Sequence, residues 1–187
     1  MKFNLKTILV SLLVLIAIPF FIALFVPNDY NVESSIDINQ SKPVVFDYIK
    51  SLNNQNKYSK WSKIDPKMKS TYRGTDKTVG YVSAWESNHP DVGIGEQEII
   101  KISEGNRIDF ELRFYKPFEA VSNAYMITET ITEYKTKVRW GFDGHMDYPF
   151  NLMLISSSFK QTLKNDFDIG LKNLKKILET ESNKSDY

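Results

Sequence analysis

The chain has 187 residues, with 24 Lys+Arg against 23 Asp+Glu and no cysteine. A net charge of +1 gives no global field to hold a polyanion, and the lack of cysteine excludes disulfides, thiolate nucleophiles and cysteine metal sites. Apolar residues at 42% and aromatics at 13% suffice for the core of one domain and argue against wholesale disorder.

The first segment stands apart. Ile8 to Val26 reads ILVSLLVLIAIPFFIALFV, with no charge and one hydroxyl, Ser11. As a helix rising about 1.5 Å per residue it would nearly match a hydrocarbon core of ~30 Å. Pro19 removes one backbone donor and predicts a kink, not a break. Lys2 and Lys6 precede the run, whereas Asp29, Glu33 and Asp37 follow it before the first later lysine, Lys42. That asymmetry predicts a cytoplasmic N-terminus and a C-terminal domain outside the cytoplasm. The rival is a cleaved signal peptide, but the run is longer than such an apolar core, and Leu24-Phe25-Val26-Pro27 is a poor cleavage site. The expected division is an anchor over 1–27, a domain over 28–180 and a polar tail over 181–187.

Pro27 to Asn31 reads as a short tether. Val32 to Ile38 alternates loosely as a first strand. Ser41 and Pro43 suit the start of a helix, and Val45, Tyr48, Ile49 and Leu52 fall on one helical face. Asn53-Asn54-Gln55-Asn56 predicts its end. The stretch Lys57–Gly74, KYSKWSKIDPKMKSTYRG, should hold a short helix and a loop into a strand. From Thr78 the period becomes two: Val79, Tyr81 and Trp85 share one parity, and Ile94, Ile100 and Ile102 another. The clearest strand is Arg107–Tyr115, where Ile108, Phe110, Leu112 and Phe114 alternate with Arg107, Asp109, Glu111 and Arg113. Such alternation fits an antiparallel sheet with one wet face. Strands over Val121–Thr132 and around Val138, Trp140 and Phe142 follow. Ile155, Phe159, Leu163, Phe167, Leu171, Leu174 and Leu178 then form a long amphipathic helical stripe. The order predicts an α+β domain, a curved antiparallel sheet with one long helix across its concave side.

These residues together resemble the START-like helix-grip superfamily (SRPBCC), in its polyketide cyclase/dehydrase and lipid-transport branch. The likeness rests on KPVVFDYI, on KWS and DPKM leading to YRG, on VGYVSAWE and VGIGEQEI, on KPF, on TKVRWGFDG and on FDIGLKNLK. It covers Tyr30 to Thr180, nearly the whole soluble part. It implies a deep cavity between the long helix and the sheet, open at one end and suited to an apolar molecule. It does not imply catalysis.

Chemical signatures are sparse. His89 and His145 belong to no metal-binding pattern, Gly93-Ile94-Gly95 opens a strand and not a helix, and no G-x-S-x-G occurs. No metal or other cofactor is expected. If Ile94, Ile100 and Ile102 point inward, Glu96 and Glu98 do too, and Glu129 sits between Ile127 and Ile131. Buried carboxylates with raised pKa are acid/base candidates, which nominates Glu98 and Glu129 with Tyr125 as proton donor. A bulge after Gly95 would instead put Glu96 and Glu98 in solvent, and a structural ion pair is the third alternative. Arg113 and Arg139, on outward parity, are not expected as partners inside. Trp61, Trp85, Phe114, Tyr125 and Trp140 are candidates to line an apolar pocket, though large aromatics on a strand's inner face are more often core.

Lys57–Gly74 interleaves Lys57, Lys60, Lys63, Lys67, Lys69 and Arg73 with Tyr58, Trp61 and Tyr72. Near neutrality and the absence of a nucleic-acid fold signature argue against a nucleic-acid partner. The stretch reads as Trp61 packing beside solvated lysines, or as a basic rim facing an anionic bilayer. The expected function is a membrane-anchored, non-catalytic domain binding a lipid or other apolar molecule. The alternatives are a protein-interaction domain with a filled core, whose partner the sequence does not name, and a cyclase, dehydratase or hydrolase using a cavity carboxylate.

Overall fold

A computed structural model describes residues 4–185, with side chains as far as Thr180; Lys2, the last two residues and the side chains of the polar tail lie outside the described residues. Helix α1 (Leu5–Ala23) contains Pro19 and starts at Asn4, whose side chain accepts from the Lys6 amide. Residues 5–22 are exposed on every side. By length and composition α1 can cross a membrane or serve as a signal sequence. It begins and ends three residues before the run Ile8–Val26, because the chain turns at Leu24 towards the domain.

The expected tether is absent. Strand β1 (Asp29–Ile38) starts at once, pairing with β7 (Lys135–His145) from Asp29 opposite His145. Helices α2 (Lys42–Ile49), α3 (Leu52–Tyr58) and α4 (Trp61–Ile64) carry the chain across to β2 (Lys69–Arg73). Asn53 to Asn56, expected to end a helix, instead build α3. Ser51 caps it by accepting from the Asn54 amide, and Asp76 accepts from the Leu52 amide and the Asn53 side chain. Tertiary hydrogen bonds override weak helix propensity here.

Strands β3 (Val82–Glu86), β4 (Ile94–Ser103), β5 (Arg107–Lys116) and β6 (Ala120–Thr132) complete one antiparallel sheet in the order β1-β7-β6-β5-β4-β3-β2. Strands β1 and β2 are its edges. Opposed residues share a face, so Val138, Trp140 and Phe142 lie with Val32, Ser34 and Ile36 and with Ala124 and Met126 on the inner side. Ile108, Phe110, Leu112 and Phe114 continue that face. All seven strands therefore have one end in common. It holds the start of β1, the end of β7, the β5–β6 and β3–β4 loops and the 3₁₀ segment Phe150–Ile155. We call it the near end, because α1 leaves from it.

Helix α5 (Ser157–Ser185) crosses the inner face. Phe167, Leu171, Leu174 and Leu178 are buried in one cluster with Val45, Phe46, Ile49, Tyr58, Phe110, Met126 and Trp140. Trp140 stacks on Phe167 with centroids 5.0 Å apart. Gly170 permits this approach, since a Cβ there would come within 2.8 Å of the Trp140 ring. Ile155, read as the first residue of the stripe, belongs to the 3₁₀ segment and is exposed. Truncating Phe167 to alanine should lower stability by about 3–5 kcal/mol, read as a lower urea midpoint of tryptophan fluorescence in detergent-solubilised protein.

Candidate functional site

The resemblance implies a cavity beneath α5, but aromatic rings fill that space. Trp61 meets both Trp140, at 6.3 Å, and Phe167, at 5.7 Å, edge-on, and Tyr58 meets Trp140 at 5.8 Å. Trp61 and Trp140 are therefore core partners of α5. At the far end, α2 and α3 close the sheet with Val45, Ile49 and Leu52, each at most 1% exposed.

The near end is less covered. Leu112 and Phe114 of β5 and Leu163 of α5 are only half-buried where they meet the core. Trp85 of β3 lies edge-on to Phe114 at 6.0 Å, and its Nε1 donates to the Val92 carbonyl at 3.2 Å. Gly95 opposes both, and a Cβ there would strike the Trp85 ring at 2.6 Å. Tyr30 and Phe159 close one side with ring centroids 5.4 Å apart. We call these half-buried apolar side chains the mouth; they include two of the predicted lining residues, Trp85 and Phe114.

Glu96, Glu98, Glu129 and Tyr125 do not face it. Ile100 has no partner on β5, because Ile99 pairs with Phe110 and Lys101 with Asp109. That bulge reverses the parity between Ile102 and the residues before Ile99. Gln97 and Ile99 point inward, whereas Glu96 and Glu98 reach the outer face, where Arg113 lies. The outcome is the outward alternative, with the bulge at Ile100 in place of one after Gly95, and Arg113, expected on the outward face, pairs with the carboxylates on that face. Its guanidinium meets Glu96 at 2.8 Å and Glu98 at 2.5 Å, and also pairs with Glu111. Arg73 adds a second contact to Glu96 at 2.8 Å.

Tyr125 and Glu129 belong to a second outer cluster. Tyr125 Oη donates to Glu33 at 2.8 Å, and its ring lies 4.2 Å from the Arg107 guanidinium carbon. It packs flat over Gly141, where any Cβ would strike the ring. Arg139 holds Glu33 at 2.8 Å and Glu129 at 3.1 Å. Burial and then the Glu33 hydrogen bond raise the Tyr125 phenol, so it stays protonated. Burial alone would raise Glu33, but hydrogen bonds from Arg139 and Tyr125 outweigh it and hold the carboxyl below its ordinary value. The same balance holds Glu96 low, with Arg73 and Arg113 outweighing its burial. These are ionised, fully paired carboxylates, without the raised pKa that acid/base work requires.

Polar groups missed in the sequence lie under α5. Ser34 donates to Asp168, and Lys60 pairs with Asp166, which is 9% exposed. Neither aspartate belongs to the apolar stripe, so its spacing does not reveal them. Lys60 and Arg73, and more loosely Lys69 with Glu86 at 4.0 Å, are engaged in ion pairs, so half the basic charge of Lys57–Gly74 is locally neutralised. Asp65 in that stretch accepts from Ser87 at 2.6 Å, tying it to the near end. His145 contacts Asp29, and His89 contacts Asp91. Two open clefts, of about 410 and 400 Å³, have mixed linings in which polar residues predominate in number. One lies at the strand ends by Asp29, Asn31 and His145, the other on the outer face by Arg107 and Tyr125.

No protein-family model matches the chain, and no curated protein does. Solved structures do. A protein from Nitrosospira multiformis superposes with TM-score 0.60 at 16% identity, over 82% of this chain and 99% of that one. Aha1 from Colwellia psychrerythraea, described as a dimer, gives 0.55 at 16% identity, over 80% and 96%. The di-domain ARO/CYC StfQ from the steffimycin biosynthetic pathway gives 0.63 at 7% identity, over 83% of this chain and 52% of StfQ. At these identities the likeness establishes a helix-grip-like fold, not an activity.

The arginine clusters set the acid limb of stability. Glu33 and Glu96 have folded pKa values below their ordinary 4.5. Their contribution is complete above that value and disappears as pH falls through the lower folded values. Arg113→Met should cost ~1–3 kcal/mol at neutral pH by removing the guanidinium that Glu96, Glu98 and Glu111 share, with Glu96 left to Arg73, and should flatten the loss of urea stability below pH ~4.5. An unchanged acid limb would show that Arg113 does not hold Glu96 ionised.

Proposed function

We propose that α1 is an uncleaved membrane anchor with a cytoplasmic N-terminus, and that the helix-grip domain beyond it is a non-catalytic binding module for a lipid or other apolar molecule. The observation that carries this reading is the coincidence of two features at one end. The half-open apolar mouth of Leu112, Phe114, Trp85 and Leu163 opens at the near end, and the long apolar helix α1 leaves from that same end. A hydrophobic ligand leaving a bilayer would reach this mouth without crossing water. The fold of the neighbours is consistent with ligand binding, and Glu96, Glu98 and Glu129, the carboxylates weighed for acid/base work, are paired with arginines on the outer face.

One observation favours a second reading. The space beneath α5 is occupied by Trp61, Trp140 and Phe167, so a ligand would have to lodge at the mouth or displace these rings. A domain filled in this way suits a protein partner.

Native mass spectrometry of the full chain released from nanodiscs, with solvent extraction of what co-purifies, separates the two. The expected result is a discrete lipid-sized adduct on the released chain, lost in Leu163→Glu, which places a charge in the mouth. An adduct-free mass that stays clean after incubation with mixed lipids would overturn the lipid reading in favour of the filled domain.

A further inference from the structure

The near end carries an apolar surface that the packing does not use. Phe118, in the β5–β6 loop, is 72% exposed, and Phe150, Met153 and Ile155 of the 3₁₀ segment are 61%, 52% and 60% exposed. The Phe118 and Phe150 rings are 6.1 Å apart, so the loop and the segment form one patch. Phe150 and Met153 are three residues apart, which stacks them on one side of a 3₁₀ helix. Single exposed apolar residues are ordinary, but a contiguous group of large ones marks an interaction surface.

This patch is fastened to α1. Asn151, in the same segment, is 1% exposed. Its Nδ2 donates to the Ala23 carbonyl at 2.8 Å, the Val26 carbonyl at 2.9 Å and Asn28 Oδ1 at 2.9 Å. The Met146 amide donates to the Asn28 carbonyl at 2.9 Å. Tyr148, just before the segment, lies 6.5 Å from Phe20 of α1, ring to ring. No slack chain intervenes, since β1 is already paired at Asp29. The last turn of an apolar membrane helix lies where hydrocarbon gives way to head groups, a boundary into which exposed Phe and aliphatic side chains sink. A patch pinned beside that turn is held at the same depth.

We infer that Phe118, Phe150, Met153 and Ile155 form a second membrane contact, sunk in the interfacial layer of the bilayer that holds α1. The domain is thereby seated on the lipid with its mouth downward and does not swing on a tether. The occupant is lipid because the patch continues the apolar surface of α1 itself. The inference rests on α1 being an anchor.

The test uses the full chain, whose lack of cysteine allows clean single-site labelling. Nitroxides are placed at Val14→Cys in α1, at Phe118→Cys and Met153→Cys in the patch, and at Tyr134→Cys, an exposed residue of the far-end β6–β7 turn. The protein is reconstituted in phosphatidylcholine–phosphatidylglycerol vesicles, and collision with oxygen is compared with collision with a water-soluble nickel chelate. The expected result is oxygen-dominated collision at Val14, Phe118 and Met153 and chelate-dominated collision at Tyr134. If Phe118 and Met153 meet the chelate as freely as Tyr134 while Val14 stays in hydrocarbon, the seated domain is overturned and the anchor stands. If Val14 also meets the chelate, both fall. Patch labels shielded from both reagents and broadened by a second nitroxide would place another copy of the chain there and overturn lipid as the occupant.

Discussion

A single buried carboxamide governs how this molecule is put together. Asn151 sits 123 to 128 residues from its acceptors; it donates to the Ala23 carbonyl, which also accepts from the Val26 amide at 3.3 Å, and to the Val26 carbonyl just beyond the helix. Helix ends always present carbonyls that the helical ladder does not fill, and most are met by water or a local cap. Here the partner comes from the opposite end of the chain, so the apolar helix and the folded domain share their hydrogen bonding. The start of β1, the end of β7 and the 3₁₀ segment are all placed relative to α1 by this junction.

Beyond that junction, the two faces of the sheet have opposite tasks. The inner face stacks Trp140 against Phe167 and Trp61 and fixes α5. On the outer face, two arginines each gather several carboxylates: Arg113 takes Glu96, Glu98 and Glu111, and Arg139 takes Glu33 and Glu129. The acids satisfy the arginines and are in turn held ionised, so the outer face is charged yet locally balanced. What remains chemically open is the apolar mouth between the first turns of α5 and the ends of β3 to β5.

Much of this was legible in the residues. The alternation in Arg107–Tyr115 places Phe110 and Arg113 on the faces they occupy, and the stripe from Phe159 to Leu178 places α5. What escaped was set by single residues or by distant contacts. A bulge was among the alternatives for Glu96 and Glu98, but its place at Ile100 is set by pairing with β5, and no residue type announces it. The asparagine run in α3 looks like a breaker, because the carboxylate that stabilises it, Asp76, is more than twenty residues away. The supposed tether is a paired strand because His145 and Asn151, late in the chain, hold it. Tyr125 was placed inward as a candidate acid, when the missing side chain at Gly141 makes room for it outside.

The edge strand β2 has a consequence of its own. An unpaired strand edge is a template for pairing with another chain. Strand β2 is five residues long, begins with Lys69, ends with Arg73 and is followed by Gly74 at a φ of +88°. Short length, terminal cations and an abrupt turn are the means by which sheets blunt an edge. The opposite edge, β1, has α5 packed along it. The cations at the two ends of β2 thus also serve to keep one copy of the sheet from adding to the next.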